Sequence, residues 1–167
     1  YNTKRQMTSK TEAYGASVAQ TTTYSNYDVH GYPNAITSPD GATLTLVRDG
    51  LHRVRSLTKQ KAGVTSTTTV NYDLAGLMTE SVAPNGQKTT YQYDSGHRLI
   101  QTNLFGASNQ KINSTHFTYN TSNKVTNVEV KTPQNTTAVT QSYQYDDALR
   151  MVAVVDAYNN ETRTTSV

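Results

Sequence analysis

Cysteine is absent from the 167 residues, tryptophan is absent too, and phenylalanine occurs only twice. Without thiols there is neither a disulfide framework nor a cysteine nucleophile. Many secreted bacterial proteins also lack cysteine, so its absence leaves the compartment open. Long apolar runs are missing as well. Nothing approaches the roughly 20 residues of a membrane-spanning helix, and no signal peptide is visible. Apolar residues make up 34% of the chain, against about half in ordinary domains, which leaves little material for a dry core. The net charge is +3, yet the basic residues are scattered. Lys59 with Lys61 and Arg53 with Arg55 are the local concentrations, and no basic stripe of the kind that binds nucleic acid is present. The chain opens at Tyr1 rather than Met, and we expect a piece trimmed or processed from a longer protein.

What the chain has instead is tyrosine, in 12 copies, with Ser and Thr at about a quarter of positions. Tyrosine pairs an apolar body with a polar tip and suits a half-wet lining. The tyrosines recur in one string: "YDVHGY" from Tyr27, "YDLAGL" from Tyr72, "YDSGHRL" from Tyr93 and "YDDALRM" from Tyr145. Degenerate copies begin at Arg48 ("RDGLHRV"), Tyr119 ("YNTSNKV") and Tyr1 ("YNTKRQM"). Neighbouring copies lie roughly 21–26 residues apart, a period typical of repeat architectures. A second signal falls midway between them: "PDG" at Pro39, Asp40 and Gly41, and "PNG" at Pro84, Asn85 and Gly86, with looser versions at Tyr14, Lys61, Phe105, Pro133 and Tyr158. Proline presets the turn backbone and Asn/Asp-Gly tolerates positive φ, so these are hairpin tips.

Between the turns lie segments of about seven to ten residues rich in Thr, Val and Tyr, which favour pleated strands. Alternation is cleanest before each Tyr-Asp pair. Thr89, Tyr91 and Tyr93 share one face, opposite Thr90, Gln92 and Asp94; Val139, Gln141, Tyr143 and Tyr145 repeat the rule. The strands leaving the turn alternate less clearly, and their faces stay open. The residues expected to build the repeat are Tyr27, Asp28, Gly31, Tyr72, Asp73, Gly76, Tyr91, Tyr93, Asp94, Gly96, Arg98, Tyr119, Tyr143, Tyr145 and Asp146. Each Asp is expected to clamp its turn by accepting backbone N–H bonds, and the tyrosines to stack in aromatic ladders between repeats. The fold class that follows is all-β, a long antiparallel meander of about fourteen short strands.

The pattern Y-D-x-x-G-R-L, followed by P-N-G and Y-x-Y-D, resembles the RHS or YD-repeat family of bacterial Rhs and polymorphic toxins, insecticidal toxin-complex C components and teneurins. The resemblance covers essentially the whole chain, with residues 1–20 as a degenerate repeat. It implies a curved, spiralling β-sheet shell with a hollow interior that often houses a toxic C-terminal domain, in a secreted or cell-surface bacterial protein. Fourteen strands about 4.8 Å apart make a ribbon on the order of 60 Å wide. Wrapping a cargo of ~130 residues, roughly 35 Å across, needs about 110 Å of circumference. The chain is therefore expected to be a segment of wall spanning 1–167, partnered by the remaining repeats and by the cargo of its parent protein.

Chemistry finds little support. His30, His52 and His97 fall in successive copies of one turn and are expected to lie along a rim without converging, so no metal site is expected. His116 lies mid-strand without a nameable partner. The repeat aspartates sit in like environments, whereas catalytic carboxyl pairs need unlike ones. The family's aspartyl self-cleavage site lies near Asp-Pro-x-Gly; "SPDG" at 38–41 reverses that order and belongs to a hairpin. No nucleophile elbow or phosphate loop is present. We expect no enzyme activity and no cofactor. Two functions remain open: an encapsulating wall, or a binding module whose tyrosines stack on a glycan or whose open edges take up a partner strand or a second copy.

Overall fold

The computed structural model describes residues 1–13, 19–158 and 161–166, and every regular element among them is a β-strand. The chain divides into two compact units, Tyr1–Val70 and Asn71–Val167. The first holds β1 (Ser9–Ala13), β2 (Ala19–Tyr27), β3 (Pro33–Thr37), β4 (Thr43–Arg48), β5 (Val54–Lys61) and most of β6 (Val64–Tyr72). The second holds β7 (Met78–Val82), β8 (Lys88–Tyr93), β9 (Leu99–Phe105), β10 (Lys111–Tyr119), β11 (Val125–Lys131), β12 (Thr137–Tyr145), β13 (Met151–Tyr158) and β14 (Glu161–Ser166). Within each unit every strand pairs antiparallel with its neighbours in sequence. The chain is thus an all-β antiparallel meander of fourteen strands.

The turns are built alike at most junctions. At Ser38–Ala42 the Ser38 N–H donates to the Ala42 carbonyl and the Gly41 N–H to the Ser38 carbonyl, at 2.8 and 3.0 Å. Ala83–Gln87 repeats these bonds at 2.8 and 2.9 Å. The fourth residue of each is left-handed, Gly41 at φ 77° and Gly86 at φ 81°, as a type I turn closed by a bulge requires. Pro39 and Pro84 precede it where φ must already be near −65°. Lys61–Val64 is different: Ala62 and Gly63 both have positive φ between the paired ends, the two-residue I′ geometry. The tips expected at Tyr14 and after Tyr158 fall on 14–18 and 159–160, outside the described residues.

Among the described residues the buried apolar side chains are Ala42 and Ala153, 5% and 8% exposed, joined by buried Asn103 and Ser114. Among the described residues neither unit has a dry core to speak of. Most strand positions are half-buried, and before each Tyr-Asp pair the outward residue is exposed: Gln92, Thr118 and Gln144 beside half-buried Tyr93, Tyr119 and Tyr145. Ladder hydrogen bonds and turn chemistry carry the stability that a second apolar layer supplies elsewhere.

Candidate functional site

The Tyr-Asp turn is the unit from which any site must be built. In the Asp94 copy, Asp94 Oδ1 accepts the N–H groups of Gly96 and Arg98, both at 2.9 Å, while the Arg98 Nε–H donates to Oδ2 at 2.7 Å. Asp49 does the same with Leu51 and Arg53, and Asp146 with Ala148 and Arg150. The expected clamp is present, reinforced by an arginine four residues on. Asn substitutes for Asp in two of the degenerate copies: Asn2 Oδ1 accepts from Lys4 and Gln6, and Asn120 Oδ1 from Ser122 and Lys124. The third residue after the Asp is left-handed in every copy, Gly31 and Gly76 but also His52, His97, Asn123 and Leu149. Gly96, read as the repeat glycine, sits one place early; His97 at φ 63° holds the position instead.

The tyrosines are used differently from the expected aromatic ladder. The Tyr93 hydroxyl donates to the Met78 carbonyl at 3.0 Å, Tyr119 to Leu99 at 2.7 Å and Tyr145 to Val125 at 2.8 Å; Tyr27 makes the same bond to Met7. Each acceptor is the fifth residue after the Asp or Asn of the preceding copy. Every such tyrosine therefore fastens its own turn to the one before. Arg98 links in the other direction: its guanidinium lies 4.9 Å from the Tyr119 ring centre and donates to Asn123 Oδ1 at 2.7 Å. Burial pushes the Tyr93 hydroxyl pKa up, consistent with its enclosed tip.

One junction departs from this rule. The Asp28 copy has Tyr32 where the Asp49, Asp94 and Asp146 copies have arginine, and the next copy has Arg48 where the others have tyrosine. The cation–ring pair survives with its members exchanged, Arg48 lying 5.4 Å from the Tyr32 ring centre and donating to Asn34 Oδ1 and the His52 carbonyl. Asp28 Oδ1 still accepts from His30 and Tyr32. Its Oδ2 is shielded from solvent without a hydrogen-bond partner, and faces His52 Nδ1 at 3.5 Å. The His30 and His52 ring centres are 3.9 Å apart. The expectation that the turn histidines would not converge is thus corrected for this pair: His30 is the second residue after Asp28, His52 the third after Asp49, and these positions meet across adjacent turns. His116 has a partner after all, Ser114 Oγ at 3.3 Å from its Nε2.

A family model for the RHS repeat matches residues 72–107, a stretch holding two of the Tyr-Asp turns and the Pro84 tip between them. Those residues carry an RHS repeat. Solved structures share the chain's fold. In crystal structures of TcdB2-TccC3, alone and with Cdc42, the likeness has a TM-score of 0.66 at 15% and 14% identity, covering 90% of this chain and 10% of the matched one. The Tc holotoxin pore of Photorhabdus luminescens gives 0.63 at 15% identity, covering 89% of this chain and 10% of the other. The chain thus spans about a tenth of the length of those chains. No curated protein matches its sequence.

The turn aspartates give the chain a pH dependence. The Arg98 N–H and guanidinium hold the Asp94 carboxyl below its ordinary 3.8, and Arg150 does so for Asp146 and the Tyr32 N–H for Asp28. At Asp40 the cause is the Lys61 ammonium, 2.6 Å away. At Asp49 partial burial pulls upward, but the Arg53 guanidinium and N–H bring the net shift down. A carboxyl with a depressed folded pKa adds stability above its unfolded pKa, and that stability is lost as the pH falls through the folded value. Thermal denaturation is expected to give a flat midpoint above about pH 5 and a progressive fall below about pH 4. A midpoint that rises on acidification contradicts the clamp.

Proposed function

We propose that this RHS-repeat chain is a segment of the wall of a β-sheet shell, part of a larger secreted bacterial protein, and that the shell encloses an effector domain of that protein. Residues 1–167 then form one repeat region of six to seven hairpins within it. The observation that supports this reading best is the combination of repeat-to-repeat fastening with an almost complete lack of dry core. A sheet wetted or in contact with cargo on both sides needs no second apolar layer, and what must be secured is the attachment of each hairpin to the next. The outer strands β1 and β14 are exposed along their whole lengths, as suits edges continued by further repeats. Enclosure acts sterically, by excluding proteases and keeping the effector from its own cell; it requires no catalytic residue of the wall.

The test uses the full-length parent protein. A protease added to the native molecule is expected to leave the enclosed domain uncut, and to digest it once the shell is opened by denaturant. Digestion of that domain in the native protein as fast as in isolation overturns the proposal.

A further inference from the structure

The exchange of Arg and Tyr at the Asp28–Asp49 junction leaves an Asp28 carboxylate oxygen without a guanidinium, facing His52 with the His30 ring beside it, and we propose that Asp28, His30 and His52 form a site for a divalent transition-metal ion of the zinc class. In the Asp49, Asp94 and Asp146 turns the outer carboxylate oxygen is held by a guanidinium at 2.8, 2.7 and 2.8 Å. Asp28 Oδ2 has no such donor and is closed off from water. A desolvated anionic oxygen whose nearest donor, His52 Nδ1, stands 3.5 Å away is poorly compensated, and a bound cation relieves it.

The geometry is close to what such an ion needs. One donor atom each from Asp28, His30 and His52 lies within 4.8 Å of the other two. A tetrahedral ion with bonds of about 2.0–2.1 Å to N and O sets its ligands about 3.3 Å apart. The Asp28–His52 edge, at 3.5 Å, is nearly formed already. His30 is exposed, so rotation of its side chain can complete the third corner at little cost in packing. Imidazole and carboxylate donors suit Zn²⁺, Co²⁺ or Ni²⁺ better than Ca²⁺ or Mg²⁺, which prefer oxygen alone. The two N–H bonds to Asp28 Oδ1 orient the carboxylate from behind, the kind of outer support that metal ligands receive. Three protein ligands leave a fourth position for water or for a donor from a partner.

The ion would join the Asp28 turn to the Asp49 turn, the task that Arg98 performs between the Asp94 and Asn120 turns. His97 occupies in its turn the place His52 occupies, but the preceding turn carries Ala75 where the Asp28 turn carries His30, so the pair is not repeated there. The inference rests on this cluster alone and stands whether or not the shell encloses a cargo.

The experiment is a titration of the chelator-treated protein with Co²⁺, followed by its visible absorption, and then displacement by Zn²⁺. One ion per chain is expected, with a rise in the thermal midpoint on loading. His52→Asn, whose new side chain tolerates the left-handed backbone, and His30→Asn are each expected to weaken binding at least tenfold, while His97→Asn leaves it unchanged. Asp28→Asn is expected to abolish it; since that change also alters the turn, the exposed His30 variant decides the matter if Asp28→Asn fails to fold. Absence of saturable binding, or equal affinity in His30→Asn, His52→Asn and the unaltered protein, overturns the proposal.

Discussion

Replacing Tyr93, Tyr119 and Tyr145 together with phenylalanine is expected to lower the unfolding free energy by about 3 kcal/mol, roughly 1 kcal/mol for each hydroxyl–carbonyl bond lost. The three bonds, to Met78, Leu99 and Val125, lie in different repeats and share no partner, so their losses add. The substitution keeps each ring. It therefore separates two accounts of why the tyrosines recur. If rings stacked on rings, phenylalanine would serve as well and the denaturant midpoint would stay where it is. If the hydroxyls fasten repeat to repeat, the midpoint falls while the slope of the transition is kept. An unchanged midpoint in the triple variant removes the fastening.

Gly86→Val is expected to cost a similar amount, about 3 kcal/mol, through two separable effects. Gly86 has φ +81°, where an L-residue pays about 1–2 kcal/mol and a β-branched one more. A Cβ built there would also stand 3.0 Å from the Ala107 Cβ, on the next tip along the same edge. Two milder changes divide these contributions. Gly41→Ala meets positive φ but open space, and should cost about 1 kcal/mol. Gly50 has neither constraint, and Gly50→Ala should be close to neutral. Thermal denaturation of the three variants is expected to rank them in that order; equal midpoints for Gly86→Val and Gly50→Ala would show that the tips do not pack as described.

Strand positions, both kinds of turn and the aspartate clamp were legible because each leaves a side-chain signature: Thr and Val runs, Pro before Asp-Gly or Asn-Gly, and Asp or Asn at a constant offset from tyrosine. The fastening role of tyrosine was not legible, because its acceptor is a main-chain carbonyl and any residue supplies one. Met7, Met78, Leu99 and Val125 share a place in the repeat rather than a chemistry. Gly96 carries the glycine letter without the backbone position that calls for it; counting from Asp94 leads to His97, the residue with positive φ. The histidine pair is hidden in the sequence for a related reason. His30 and His52 occupy different offsets in successive turns, and meeting across a rim depends on how far each side chain leans toward its neighbour. The exchange of Tyr32 and Arg48 was the available signal, since it alters both of the positions that Arg98 and Tyr119 fill where the Asp94 and Asn120 turns meet.

An electron cryo-microscopy map of the full-length parent protein tests the central claim most directly. Residues 1–167 should trace successive hairpins in the wall of a hollow β-sheet shell, each tyrosine hydroxyl reaching the hairpin before it, with density for an effector inside. A compact domain at this segment with a second apolar layer packed on the sheet, or repeats standing apart from any enclosure, would contradict it.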